Sequence, residues 1–181
     1  MKPPKPWRPL KTETLQDCSV FRVGRTLAES PHTGATHTFY RIDSSDWVNV
    51  VPVTSAGEIV MIRQYRHGSR EVTLEIPGGL VDPGETPADA AVRELLEETG
   101  YKGGAPRPLG VVNPNPALFG NRCHSFLVPD AVRVAEICNG QTEETVVELV
   151  PCSLLRQRLA EGAISHALVI AALYWFELGS D

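Results

Sequence analysis

The chain has 181 residues, a formal net charge of −5 and 42% hydrophobic residues, which fits one domain with a sizeable core plus an N-terminal appendage, and no second catalytic domain is expected. The acidic balance argues against nucleic acid held through a basic stripe. No stretch has the length of a membrane span or the apolar core of a secretory signal, so a soluble, cytoplasmic protein is expected.

Four cysteines, Cys18, Cys123, Cys138 and Cys152, lie too far apart for a zinc site and are read as reduced thiols. Residues 2–10 are proline-rich and basic and read as an extended arm, with Trp7 as a packing residue. Strand-like runs over 16–26 and 36–43 flank a turn-rich segment at 29–34, which predicts an N-terminal antiparallel hairpin. The expected boundary therefore separates residues 1–45, an arm and hairpin, from a domain over 46–181.

Two β-rich runs, Trp47 to Val53 and Glu58 to Tyr65, are joined by the turn Thr54-Ser55-Ala56-Gly57, and Glu71 to Ile76 continues the alternation. These read as central strands. Arg66, near a strand end and close to a glycine-rich turn, could clamp a pyrophosphate bidentately.

That turn is Gly78-Gly79 followed by Asp82-Pro83-Gly84. Thr86 then reads as an N-cap with Pro87 at the first helical position, and Gly100 as a left-handed stop, so a helix is predicted over 87–99. At about 100° per residue, Ala88, Ala91, Val92, Leu95 and Leu96 share an apolar arc, whereas Glu94, Glu97 and Glu98 share another. Three such carboxylates repel by about a few tenths of a kcal/mol per pair. Arg93 can pair with Glu97 but is not expected to neutralise Glu94 and Glu98 as well; hard oxygen ligands on a rigid element suit Mg²⁺ or Mn²⁺.

Beyond the helix, a short strand over 108–112 leads to the proline-rich loop Asn113-Pro114-Asn115-Pro116-Ala117, and a strand resumes over 121–128. Residues 138–144 read as an exposed loop before a strand over 145–150. Ser153 is expected to cap a helix over 154–161, and Ser165 to start a final apolar helix reaching Phe176, with Gly162 between them.

Gly79, Glu85, Arg93-Glu94-Leu95, Glu97-Glu98 and Gly100-Tyr101 together resemble the full Nudix box, G-x5-E-x7-R-E-U-x-E-E-x-G-U, with U a bulky apolar residue. Tyr101 is aromatic where an aliphatic residue is usual. The resemblance implies an α/β fold, the Nudix α/β/α sandwich with a central mixed sheet, here preceded by the N-terminal antiparallel hairpin or sheet. It also implies metal ligation by Glu94 and Glu98, with Glu97 ligating or supporting a ligand, the Gly78 carbonyl completing the shell, and Arg93 and Glu85 holding the geometry.

Arg66 matches the position of a substrate-phosphate arginine in the branch acting on ADP-ribose and nucleoside diphosphate sugars, and Pro116 resembles that branch's proline marker. In that branch the N-terminal sheet builds a homodimer, and Phe39 or Trp47 could stack on a base. A loop glutamate, Glu143 or Glu144, would serve as catalytic base. The implied activity is Mg²⁺-dependent hydrolysis of a small-molecule nucleotide sugar or ADP-ribose, giving a nucleoside monophosphate and a sugar phosphate. The alternatives are another Nudix activity, on dinucleoside polyphosphates or damaged nucleoside triphosphates, and a non-catalytic nucleotide-binding module.

Overall fold

The computed structural model describes residues 3–140 and 142–179. Two compact units emerge: one is the chain up to Ser45 together with Asn113–Asn121, the other Asp46–Val112 with the chain from Arg122 onward.

The first unit is a three-stranded antiparallel sheet in the order β1-β2-β3, from β1 (Arg8–Asp17), β2 (Arg22–Glu29) and β3 (Thr36–Asp43). The last residues of the expected arm, 8–10, thus open an edge strand. Pro9 is tolerated because an edge position leaves one row of backbone groups unpaired, and a register shift follows it, between Pro9 and Lys11. The run expected over 16–26 is interrupted: the Ser19 N–H donates to Asp17 Oδ1 at 3.0 Å, Ser19 takes φ 67°, and the Cys18 N–H donates to Phe21 O at 2.9 Å. That side-chain turn reverses the chain where strand propensity alone would have carried it on. The Asn113–Asn121 segment belongs with this sheet, since the Ile42 N–H donates to Leu118 O at 2.7 Å and the Gly120 N–H to Ile42 O at 3.3 Å.

The second unit layers short sheets between helices. Strand β4 (Trp47–Pro52) pairs in parallel with β9 (Cys123–Val128), which pairs antiparallel with β8 (Arg107–Val112). Strand β5 (Glu58–Arg66) lies between β6 (Glu71–Glu75) and β11 (Thr145–Pro151), antiparallel to both. Two-residue strands β7 (Tyr101–Lys102) and β10 (Val132–Arg133) pair with each other.

Period-two alternation sends the residues of β4 to two different cores. Val48 and Val50 pack with Phe126 and Val128 against Ala90, Ala91 and Leu95 of helix α1 (Pro87–Thr99). Val51 packs with Met61, Leu74 and Ile76 against Val169, Ala172 and Leu173 of helix α3 (Ala167–Leu178). Because both faces are covered, Ile59 to Ile62 of β5 are buried without a break, as expected for a strand between two layers.

Two expected caps are absent. The residues after β11 form a 3-10 turn (Cys152–Leu154) running into a short helix α2 (Leu155–Ala160), and Ser153 caps neither. Helix α3 begins after His166, not at Ser165, without a side-chain cap. Gly162, at φ 73°, separates the two helices. Within α1, Val92 faces solvent while Ala90 is fully buried, so the packed arc lies nearer Ala90 than the apolar spacing suggested.

Candidate active site

Helix α1 starts and stops where its sequence dictates. Thr86 Oγ1 accepts the Asp89 N–H at 3.2 Å, Pro87 opens the first turn, and Gly100 closes the helix in the left-handed region at φ 74°. An added Cβ at Gly100 would lie 2.1 Å from Ala135 O, so glycine is required there twice over.

Of the three glutamates on α1, two are not solvated. Glu94 and Glu98 are buried, facing the glycine turn at residues 78–79. The Glu98 carboxylate accepts the Gly78 N–H at 2.8 Å. A Cβ at Gly79 would lie 2.3 Å from a Glu94 carboxylate oxygen, and one at Gly78 would lie 2.3 Å from Val48 O. The two glycines therefore permit backbone and carboxylates to approach more closely than any side chain would allow.

Arg93 binds this region together with every donor it has. Its Nε and Nη2 grip both oxygens of Glu85 at 3.0 Å each, Nη2 also donates to Leu80 O at 2.9 Å, and Nη1 donates to Glu94 at 2.8 Å and to Glu97 at 3.1 Å. A single Nη1 thus reaches both Glu94 and Glu97. Glu98 lies beyond it and keeps only the backbone donor. The Arg93 grip holds Glu85 below the ordinary carboxylate range, and Glu85 in turn holds the Arg93 pKa up.

Burial governs the other two acids. It raises the Glu94 pKa against the Arg93 hydrogen bond. It pushes Glu98 up to about 8 against the Gly78 N–H, with the charges of Glu94 and Glu143 adding to the rise. Two buried, mutually repelling carboxylates beside an open glycine turn form a hard-oxygen donor set short of positive charge. That chemistry fits a divalent cation. Among the described residues, no three His, Cys, Asp or Glu side chains already converge as a cage, because one Glu94 oxygen turns to Arg93 and one Glu98 oxygen to Gly78.

The loop at 138–144, of which Gln141 lies outside the described residues, is tied to the last turn of α1. The Cys138 N–H donates to Glu97 O at 2.8 Å, and Thr145 Oγ1 donates to Glu98 O at 2.7 Å while contacting Asn139. Glu143 is exposed on this loop, and its charge acts on Glu94, Glu98 and Arg66. Glu144 is its exposed neighbour.

Arg66 ends β5 with its guanidinium bonded through Nε and Nη2 to the two oxygens of Glu75, at 2.9 and 2.7 Å. The Glu75 side chain is 2% exposed and also accepts Thr73 Oγ1 at 2.6 Å. Sequence reading did not single out Glu75, although its place two residues before Pro77-Gly78 was visible. Trp47 opens β4, half-buried, with its N–H on Arg122 O and a bridge to Leu80 of the box. Phe39, in the first unit, is exposed and meets Trp7 edge-on with centroids 5.0 Å apart. Pro116, in the same unit, starts an exposed turn in which Asn115 O accepts the Leu118 and Phe119 N–H groups.

Comparison with known proteins agrees with this geometry. A family model described as the NUDIX domain matches residues 45–173. The chain is 33% identical over 165 residues to an ADP-sugar pyrophosphatase of Mus musculus, covering 81% of this chain and 75% of that protein. It is 28% identical over 171 residues to a methanol dehydrogenase activator of Bacillus methanolicus, covering 93% and 91%. An ADP-ribose pyrophosphatase of Bacillus subtilis shares 33% identity over 107 residues, covering 59% and 57%. A crystal structure of an ADP compounds hydrolase superposes with a TM-score of 0.86 at 23% identity, covering 98% of this chain and 95% of that one, which establishes the shared fold. With the box intact in sequence, its acids gathered against the glycine turn and the family model spanning most of the chain, this protein belongs to the Nudix family.

Proposed function

We propose that this protein hydrolyses the pyrophosphate bond of nucleoside diphosphate sugars or ADP-ribose with Mg²⁺, releasing a nucleoside monophosphate and a sugar phosphate. The observation that carries the reading is the pair of buried carboxylates, Glu94 and Glu98, held against Gly78-Gly79 by the Arg93 network. The likeness to ADP-sugar and ADP-ribose pyrophosphatases supports the substrate class.

Nudix hydrolases use divalent cations. A bound cation neutralises phosphate oxygens and activates water for in-line attack. Glu94 and Glu98 would hold it, joined by the Gly78 carbonyl, with Glu97 as a further ligand or support. Mg²⁺ is preferred over softer metals because the donors are oxygens, and Mn²⁺ could replace it. Arg93 and Glu85 keep the carboxylates in place. Arg66 steadies a phosphate, and Glu143 or Glu144 takes the proton from the attacking water.

Phe39 and Trp47 are the aromatic candidates for contact with the base, and Pro116 is a further substrate contact. The first unit exposes Leu10, Leu15, Leu27 and Tyr40, apolar surface suited to a homodimer, which light scattering would test. Among the described residues no helix is long and apolar enough to cross a membrane, and cysteines read as reduced thiols suit the cytoplasm.

The test is product analysis with Mg²⁺ against ADP-ribose, ADP-glucose, UDP-glucose, GDP-mannose, diadenosine polyphosphates and 8-oxo-dGTP, for wild type and Glu98→Gln. Nucleoside monophosphate and sugar phosphate formed by wild type and lost in the variant are expected. Cleavage confined to polyphosphates would replace the substrate class, and no cleavage of any compound would favour the binding module.

A further inference from the structure

Arg66 has five N–H donors in a planar fork. Glu75 occupies the side-on edge, Nε with Nη2, and this leaves both Nη1 donors and one Nη2 donor along the end-on edge. That free edge has the geometry for a second bidentate partner. The Arg66 side chain is 42% exposed, whereas the Glu75 carboxylate is almost wholly buried. The charges of Glu98 and Glu143 both act on the guanidinium, so its open side lies in the field of the acid cluster.

Glu75 is fixed from several sides. Thr73 Oγ1 donates to Oε1 at 2.6 Å, and His166 Nδ1, just ahead of α3, lies 3.2 Å from Oε2. A buried ion pair contributes little net stability compared with apolar packing of the same volume. β5 and β6 already pair along Ile62 to Arg66, so the sheet does not need a charge at this point. What the arrangement provides is orientation, since an arginine gripped along one edge loses the rotamer freedom that binding would otherwise have to remove.

We propose that Glu75 is a positioning residue, its buried carboxylate locking the Arg66 guanidinium so that the Nη1–Nη2 edge is presented to a phosphate of the substrate. The assignment rests on the pyrophosphatase reading above for the identity of that phosphate, but the predicted coupling between the two residues can be measured without turnover.

The experiment compares wild type, Glu75→Gln, Arg66→Gln and the double variant, first by calorimetric binding of inorganic pyrophosphate in metal-free buffer and then by hydrolysis of ADP-ribose with Mg²⁺. Each single variant should weaken pyrophosphate binding about tenfold, the order expected for losing a charge-assisted bidentate contact. The double variant should be no weaker than Arg66→Gln alone, and Glu75→Gln should raise KM more than it lowers kcat. Wild-type affinity in Glu75→Gln, additive losses of about a hundredfold in the double variant, or no pyrophosphate binding by wild type would each overturn the assignment.

If Glu75→Gln does not fold by circular dichroism, Thr73→Val takes its place, with about a threefold loss of affinity expected that disappears in the Arg66→Gln background; unchanged affinity would overturn the assignment. Coupled pyrophosphate binding without cleavage of ADP-ribose would remove the substrate reading and leave the role of Glu75 standing.

Discussion

The carboxylate of Glu98 accepts the backbone N–H of Gly78 at 2.8 Å, which joins the last turn of α1 to the glycine turn ahead of it. This hydrogen bond to a buried acid does not offset burial: the folded pKa stands at about 8 against an ordinary 4.5. The folded protein therefore holds this proton more tightly than the unfolded chain does. The stability that follows is complete below pH 4.5 and is lost as pH rises through about 8. In metal-free protein, Tm should fall across that window for wild type and much less for Glu98→Gln, with Mg²⁺ restoring wild-type Tm near the upper end. Parallel pH profiles of Tm for the two proteins would refute this. The same variant should lose at least about a hundredfold in kcat, roughly 2.7 kcal/mol of transition-state stabilisation.

Substitution at the two glycines separates fold from chemistry. A Cβ at Gly78 meets the main chain, Val48 O at 2.3 Å, whereas one at Gly79 meets the far end of the Glu94 side chain at the same distance. A side-chain terminus can swing aside and a sheet carbonyl cannot. Gly78→Ala should therefore lower stability by about 2 kcal/mol, seen as a fall in thermal midpoint. Gly79→Ala should stay near wild-type Tm and lose about tenfold or more in kcat, because Glu94 would be displaced from the position proposed for metal ligation. Full activity in Gly79→Ala would contradict the placement of Glu94.

Arg93 makes five side-chain hydrogen bonds, to Glu85, Glu94, Glu97 and Leu80 O. Lysine keeps the charge but has three donors and no planar fork, so it cannot span Glu85 and Glu94 together. Arg93→Lys is expected to cost about 2 kcal/mol, the worth of one charge-assisted bond lost from a partly buried site. For a chain of this size that is a fall of about 5 °C in Tm, with kcat reduced because Glu94 and Glu97 lose their common tether. Scanning calorimetry with steady-state kinetics on the same preparation checks both.

Much of this site was legible before any coordinates. Thr86, Pro87 and Gly100 set the limits of α1, because capping is local chemistry that neighbours in sequence decide. The box spacing likewise placed Glu94, Glu97 and Glu98. What could not be read depends on pairing across the chain. Strand β1 is hidden by the prolines ahead of it and by Pro9 within it, which an edge position tolerates, and the caps expected at Ser153 and Ser165 gave way to tertiary packing of Leu155, Val169 and Leu173. The burial of Glu94 and Glu98 is not legible in the sequence, because an i, i+4 pattern does not say what covers a helix. Glu75 passed for one more residue of an alternating strand, since its importance comes from Arg66 across the β5–β6 ladder.

The choice between the two proposed loop bases, Glu143 and Glu144, both exposed just ahead of β11, turns on whose charge reaches the acid cluster. The charge of Glu143 helps raise the pKa of both Glu94 and Glu98 and also acts on Arg66. Glu143→Gln should reduce kcat by about a hundredfold or more, the usual contribution of a general base, with KM for ADP-ribose changed little. Glu144→Gln should remain within about twofold of wild type. The reverse ranking would show that the loop turns over when substrate binds. Equal small effects would remove the loop carboxylates from the proton transfer altogether and direct the search for a base to Glu97, the exposed acid of the box.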